Sequence, residues 1–261
     1  MIKKVDSGKR IEERMKNDKF KKFCSRYSLL VTRLCCSGKA RRWKRKSTLY
    51  LLLLTTYYLL LTTCCFAQEN FVALTFDDGP HPYYTRKILE ILDRFNVKAT
   101  FFLVGTQIEK YPYLVKEIFE KGHEIGNHTY SHKRLIFLTD EQIKEQILKN
   151  DLLIEKITGK KPLYFRPPGG RYYFKSLKNL TRHEVVLWTI NTDDIKKSAS
   201  QIFKDVIQAR DGDIILMHSG VPQTVKVLPR ILRFFKRNNI RAVSVSQLKK
   251  IQSERFFSTS D

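Results

Sequence analysis

Between residues 70 and 250, short apolar runs alternate with segments whose apolar positions recur every three or four residues. The runs at 71–76 (FVALTF), 99–105 (ATFFLVG), 123–127 (HEIGN), 163–166 (LYFR), 185–190 (VVLWTI), 213–217 (DIILM) and 241–245 (RAVSV) read as strands. Most are unbroken apolar or β-branched stretches, the pattern of strands buried on both faces of a parallel sheet. Between them, Ile88, Leu92 and Phe95 share one face of a helix over 84–95. Ile143, Ile147 and Ile154 mark a longer helix over about 140–157, with Thr139 as its N-cap and Gln142 at capping-box spacing. Val225, Leu228, Ile231, Leu232 and Phe235 stripe the last long helix, and Gly122, Gly159 and Gly212 punctuate the returns to the next strand. This alternation predicts an α/β fold with a parallel sheet. About 190 residues is short for an eight-unit barrel. The pattern fits a smaller or incomplete barrel, or an open doubly wound sheet, without an internal repeat or a second domain.

Upstream the pattern changes. Ser47–Gln68 is 22 residues without a charge, eight of them Leu. Roughly 20 apolar residues suffice to cross a bilayer. Arg41, Arg42, Lys44, Arg45 and Lys46 stand directly before it, as expected of a cytoplasmic flank. The chain therefore divides into a basic leader (1–46), a hydrophobic membrane segment (47–68) and a folded domain (69–261). The segment reads either as a signal anchor or as a signal peptide cut after Cys65-Phe66-Ala67. Leu61-Thr62-Thr63-Cys64 faintly resembles a lipoprotein processing site, and a buried apolar helix is the bland alternative. Met15 is a second candidate start.

Composition narrows the class. Of 261 residues 42% are apolar, enough for one sizeable core, which excludes global disorder. The net charge of +23 invites a nucleic-acid reading, but its distribution argues otherwise. Residues 1–47 hold 17 Lys+Arg against 4 Asp+Glu, and no zinc pattern or aromatic interleaving accompanies them. A solvated segment that orients a membrane span explains the leader better than nucleic acid does. All five cysteines (Cys24, Cys35, Cys36, Cys64 and Cys65) precede residue 66, so neither a disulfide framework nor thiol chemistry is available to the folded domain.

Chemistry gathers where the predicted strands end. Asp77-Asp78-Gly79-Pro80 follows the first, His128-Thr129-Tyr130-Ser131-His132 the third, Arg166-Pro167-Pro168-Gly169-Gly170 the fourth and His218 the sixth. Each alone has an ordinary explanation: a capped turn, a surface histidine pair, a loop, a core histidine. Parallel α/β folds build active sites at the carboxyl ends of their strands, so four such clusters at four such ends point to one site. One carboxylate and two imidazoles make a three-ligand metal site with an open position. A second carboxylate supplies a base, a separate histidine an acid and an arginine a carboxylate partner. This is the inventory for metal-assisted hydrolysis of an amide or ester.

Thr75-Phe76-Asp77-Asp78-Gly79-Pro80, His128 to His132, Arg166 to Gly170 and Leu216-Met217-His218 resemble the motifs of the polysaccharide deacetylases, carbohydrate esterase family four, also called the NodB-homology domain. The resemblance covers roughly residues 70–250. It implies an α/β fold, a distorted (β/α) barrel with about seven parallel strands, and removal of acetyl groups from N-acetylated sugars. By position it implies that Asp78, His128 and His132 hold one divalent metal ion, zinc in the first instance, and that Asp77 is the base acting on metal-bound water. Arg166 would hold Asp77 and favour its charged form, and His218 would protonate the departing amine. Leu216 would line the acetyl pocket, and the Gly169 N–H would help bind the oxyanion. The family's Asp-x-x-Asp-Trp segment reads here as Asn191-Thr192-Asp193-Asp194-Ile195. Asn191 stands where the Asp that supports the catalytic histidine is expected, which predicts a lower His218 pKa than in relatives unless a loop shift lets Asp193 substitute. Ile195 replaces the Trp. Gly169 stands where an aromatic is usual, with Tyr172 or Tyr173 as candidate replacements for that wall. His123 and His183 match no motif and read as structural, and His81 reads as a rim residue. The implied partners are an N-acetylated glycan, peptidoglycan first, and the membrane through the N-terminal segment, with no nucleic acid. Rival readings are deacetylation of chitooligosaccharide or another amide, and an inactive metal-holding glycan-binding or scaffold protein.

Overall fold

The longest apolar run of the domain becomes its central strand. The computed structural model describes residues 69–172, 177 and 180–258, together with Thr55. In it, β1 (Asn70–Gly79) is buried along most of its length. Its first residues pair with β8 (Ile240–Val243) and Ala73–Asp77 pair with β7 (Ile214–His218). Beyond Thr75 it also pairs with β2 (Thr100–Leu103). The sheet continues through β3 (Glu124–Asn127), β4 (Tyr164–Phe165) and β5 (Glu184–Val185) on one side. It ends at β6 (Ile190–Asn191) beyond β7 on the other. Every pairing is parallel.

The strand expected over 185–190 is two short strands, making eight in all. The start of the segment pairs with β4 and its end with β7, so this one segment supplies both edges of the sheet, as in a distorted half-barrel. The ladder breaks in the middle because the carbonyls of Val186 and Leu187 accept from the Arg166 side chain instead, at 2.9 and 3.1 Å. The strand expected over 241–245 stops at Val243. Ser244 and Gln247 there form a reciprocal capping pair that starts α7 (Val245–Ser258).

Side-chain alternation sorts β1 into two faces. Val72, Leu74 and Phe76 pack outward against Ile88 and Leu92 of α1 (Tyr84–Arg94) and against the helix that crosses behind β7 and β8. Phe71 and Ala73 face inward with Phe102, Tyr164 and Val186. Continuing inward, the same period delivers Thr75 and Asp77 to the upper interior. Two short helices, α2 (Gly105–Lys110) and α3 (Pro112–Glu120), follow β2. Thr139 caps α4 (Asp140–Thr158) in a full capping box with Gln142, and Gly159 ends it at φ 70°. After α5 (Ala199–Val206), α6 (Pro222–Arg237) buries the predicted stripe of Leu228, Ile231, Leu232 and Phe235.

Among the described residues no helix is long and apolar enough to cross a membrane. The leader, the uncharged segment 47–68 apart from Thr55, and all five cysteines lie outside the described residues.

Candidate active site

The register between β1 and β7 sets Asp77 opposite His218. Arg166 at the end of β4 is fully buried, and its guanidinium is spent on four acceptors. Nη1 donates to Asp77 Oδ1 and to Thr75 Oγ1, both at 2.7 Å, and Nε and Nη2 take the two carbonyls named above. The cation also lies 4.0 Å above the Phe102 ring. Burial pushes the Arg166 pKa down, and the Asp77 carboxylate opposes that. A buried ion pair with this many donors placed fixes the Asp77 rotamer and leaves its Oδ2 for the cleft.

Asp78 sits beyond Asp77 in the left-handed region, at φ 66°. Its Oδ1 lies 3.3 Å from His128 Nε2 and 3.0 Å from His132 Nε2. All three ligand-type atoms fall within 4.8 Å of one another. His128 Nδ1 is 2.7 Å from the Arg166 carbonyl, which can only accept, so the proton of the neutral ring is on Nδ1 and the Nε2 lone pair faces Asp78. Asp78 Oδ1 is out of reach of solvent and has no hydrogen-bond donor. Burial raises the Asp78 pKa, but the two imidazoles outweigh this and hold it well below the usual carboxylate range. The contact with Asp78 raises that of His132. Two imidazole nitrogens and a solvent-shielded, ionised carboxylate oxygen gathered at one point are the ligand types a divalent cation needs, so the residues present fit a metal.

His218 is the acid candidate, and its supporting group differs from the expected one. Nδ1 lies 2.6 Å from Asp194 Oδ1, and its backbone N–H donates to Asp194 Oδ2 at 2.8 Å. Asp194 is fully buried and also accepts from Thr224 Oγ1. Asn191 is exposed and uses its side-chain oxygen to accept from the Asp193 N–H. Asp193 turns through the left-handed region at φ 47°, which carries Asp194, not Asp193, into the interior. Burial lowers the His218 pKa, but Asp194, with Asp78 and Asp77 behind it, brings the net shift upward. The carboxylate expected to be missing beside His218 is therefore present, as Asp194. The signal was present as a second Asp-Asp pair after a strand, hidden by assigning the supporting role to the first residue of its motif. His218 Nε2 points towards the cleft, 3.9 Å from Asp78 Oδ2.

Leu216 is buried on β7, two residues before His218 and therefore on the same face. Gly169 is exposed at φ 66° in a turn of 3₁₀ form over Pro168–Gly170. The wall beside this turn is Trp188: a Cβ on Gly170 would come within 2.7 Å of its ring. Tyr172 packs instead with the Leu135, Ile143 and Phe165 cluster, and Tyr173 lies outside the described residues. Ile195 is exposed. His81 stacks beside Tyr84 and near Gly220, at the rim next to the His218 loop. His123 and His183 lie apart from the cluster.

A family model described as polysaccharide deacetylase matches residues 67–188. A peptidoglycan-N-acetylglucosamine deacetylase of Bacillus cereus is 40% identical over 190 residues, which cover 69% of this chain and 88% of that protein. The solved structure of the peptidoglycan deacetylase PdaC from Bacillus subtilis is 32% identical with a TM-score of 0.71, over 74% of this chain and 96% of that one. A mutant of a family 4 carbohydrate esterase pseudoenzyme with restored activity is 30% identical with a TM-score of 0.65, over 70% of this chain and 68% of that one.

Proposed function

The chain belongs to the polysaccharide deacetylase family, and on that premise we propose that it removes N-acetyl groups from the amino sugars of peptidoglycan. The observation that carries this reading is the flanking of the Asp78–His128–His132 cluster by two separately supported groups, Asp77 on Arg166 and His218 on Asp194. Amide hydrolysis needs that division, because a water must lose a proton and a poor amine leaving group must gain one. When bound by Asp78, His128 and His132, a divalent ion, zinc in our reading, supplies polarisation of the amide carbonyl and acidification of the attacking water.

The chain's own groups do the rest. Arg166 holds Asp77 so that Oδ2 takes the proton of the water. Asp194 holds His218 Nδ1–H, which aims Nε2–H at the departing nitrogen and stabilises the imidazolium. Leu216 lines the space for the acetyl methyl, and the Gly169 N–H helps hold the oxyanion, a donor type typically worth roughly 3 kcal/mol. Trp188 serves as the groove wall in place of the missing aromatic. Asp194 weighs against the inactive scaffold reading, which rested on the departures at Asn191 and Ile195. The uncharged segment after the basic leader supports export, with the domain facing the wall whether anchored or released.

The test is acetate release from N-acetylated peptidoglycan by metal-stripped, zinc-reloaded and Asp77→Asn protein. Acetate is expected from the reloaded enzyme alone. Faster release from short chitooligosaccharides than from peptidoglycan would move the substrate to the soluble oligomer. Release by stripped protein would overturn the metal-dependent reading.

A further inference from the structure

The loop that carries His128 and His132 hangs on one face of α4, and that face contains an anomaly. Ile143, Ile147 and Ile154 form its buried stripe, and the position between the last two in the helical period is Asn150, fully buried. Its Nδ2 donates to the Leu103 carbonyl and to Asn127 Oδ1, both at 2.9 Å. Its own Oδ1 has no partner. An orphaned buried amide oxygen typically costs about 1–3 kcal/mol, so stability alone does not account for Asn150.

Asn127 is the residue it holds. The Thr129 N–H donates to Asn127 Oδ1 at 2.8 Å, which fixes the orientation of that amide. Asn127 Nδ2 then donates to the Ile147 carbonyl at 2.9 Å and to Asp151 Oδ1 at 2.6 Å. Asp151 is held in turn by His183 Nε2 at 3.0 Å. One turn up the helix, Gln146 Oε1 accepts from both the N–H and the Oγ of Ser131 at 2.8 Å. Thr129 and His132, the residues after and at the two imidazole positions, are both left-handed, at φ 66° and 57°. Non-glycine residues persist in that region only where their surroundings over-determine them. Here the surroundings are Asn127, itself held by α4, the α4 side chain of Gln146, and the Gly105 and Thr106 amides of α2, which donate to the Thr129 and Tyr130 carbonyls.

We propose that Gln146, Asn150 and Asp151 are positioning residues that set the metal affinity of the site by fixing the 128–132 loop through Asn127 and Ser131. The inference rests on the reading of Asp78, His128 and His132 as ligands. Direct hydrogen-bond partners of ligand groups typically govern metal affinity by about 10–100-fold, and these residues act one contact further out, which places their effect at the lower end of that range.

The test measures the zinc dissociation constant of the full chain by competition with a chromogenic chelator, alongside thermal melts of metal-free protein. Asn150→Leu keeps the side-chain shape, completes the apolar stripe and drops both donors. It is expected to weaken zinc binding about 10-fold without lowering the melting temperature. Asp151→Ala is expected to weaken binding in the same way, and Asp151→Asn to restore it, because an amide oxygen still accepts from Asn127. Asp151 and His183 lie in the wall of an open surface cleft of about 530 Å³, so this pair carries the test if Asn150→Leu does not fold. Wild-type affinity in the variants, with wild-type protein binding one zinc, overturns the positioning role alone. Wild-type protein that binds no zinc overturns the ligand reading and this inference with it.

Discussion

The barrel holds a carboxylate network at each end, and the two are finished differently. At the lower end Glu124, where β3 begins, accepts from Thr100 Oγ1 at 2.7 Å, from the Ser246 N–H at 3.2 Å and from Ser246 Oγ. Thr100 Oγ1 in turn accepts from the first amide of α7, so the helix is seated on the barrel floor by donors that all find acceptors. At the upper end Asp78 has a buried oxygen with no donor, and the loops around it carry left-handed Asp78, Thr129, His132 and Asp193. The histidines divide in the same way. Carboxylate partners raise the pKa of His132 and His218 above, whereas burial lowers that of His123 below. A network that closes on itself stabilises. The upper one leaves a buried acceptor unfilled at a turn held in the left-handed region.

The contrast breaks most visibly at Asp77. Asp77→Asn is expected to keep the Arg166 contact and lower kcat by at least about 10³-fold, within the range for a lost general base. The melting temperature should move by only a few degrees. Retention of more than a tenth of wild-type acetate release would remove Asp77 from the base role. The converse change is Glu124→Ala. It strands the donors of Thr100 and Ser246 and is expected to cost about 3 kcal/mol, roughly 10 °C in a domain of this size. The folded fraction should show unchanged kcat and unchanged zinc affinity. A fall in either would mean that the two ends are not independent.

Asp194→Asn sharpens the upper half of the comparison. Burial, which lowers the His218 pKa, would then act with less opposition. His218 must be protonated to serve as the acid, so activity is lost as pH rises through its pKa. With the Asp194 charge removed, that alkaline limb of the kcat profile should move to lower pH, with kcat reduced by up to about 10²-fold. An Asn191→Ala variant should leave the limb in place, and a limb that moves only in the Asn191 variant would reverse the assignment.

What the sequence made readable follows from how local each signal is. The capping box at Thr139, the glycine returns and the apolar stripes depend on neighbours within one or two turns, and each lies where its pattern placed it. The gathering of Asp78, His128 and His132 was readable because parallel strands all end on one side. The failures involve contacts across the barrel. The 185–190 strand divides because a side chain 20 residues away takes its carbonyls. Asp194 replaces Asn191 because a single left-handed residue, Asp193, redirects the chain. Trp188, not Tyr172, walls the turn at Gly170, a pairing that no spacing in either segment announces.

The smallest effect concerns the lower end alone. His123 precedes β3, packs edge-on against Phe101 and accepts from the Ala99 N–H through Nδ1, while Nε2 finds no partner. Burial depresses its pKa from 6.5 to about 4, with nearby Lys98 adding to the shift. The folded state keeps the ring neutral, and unfolding lets it take up a proton at any pH between those values. Its contribution to stability is therefore whole above pH 6.5 and is lost progressively as pH falls towards 4. Linkage puts the loss between pH 7 and pH 5 at about 2 kcal/mol. His132 and His218, with raised pKa values, contribute with the opposite sign, so the total slope mixes both ends. The difference between wild type and His123→Gln, followed by denaturant unfolding across that range, isolates the lower one. The gap between the two proteins should shrink or reverse as pH falls. A gap constant from pH 7 to pH 5 would mean that the folded protein lets His123 charge, and that the lower end is wetter than the burial of His123 implies.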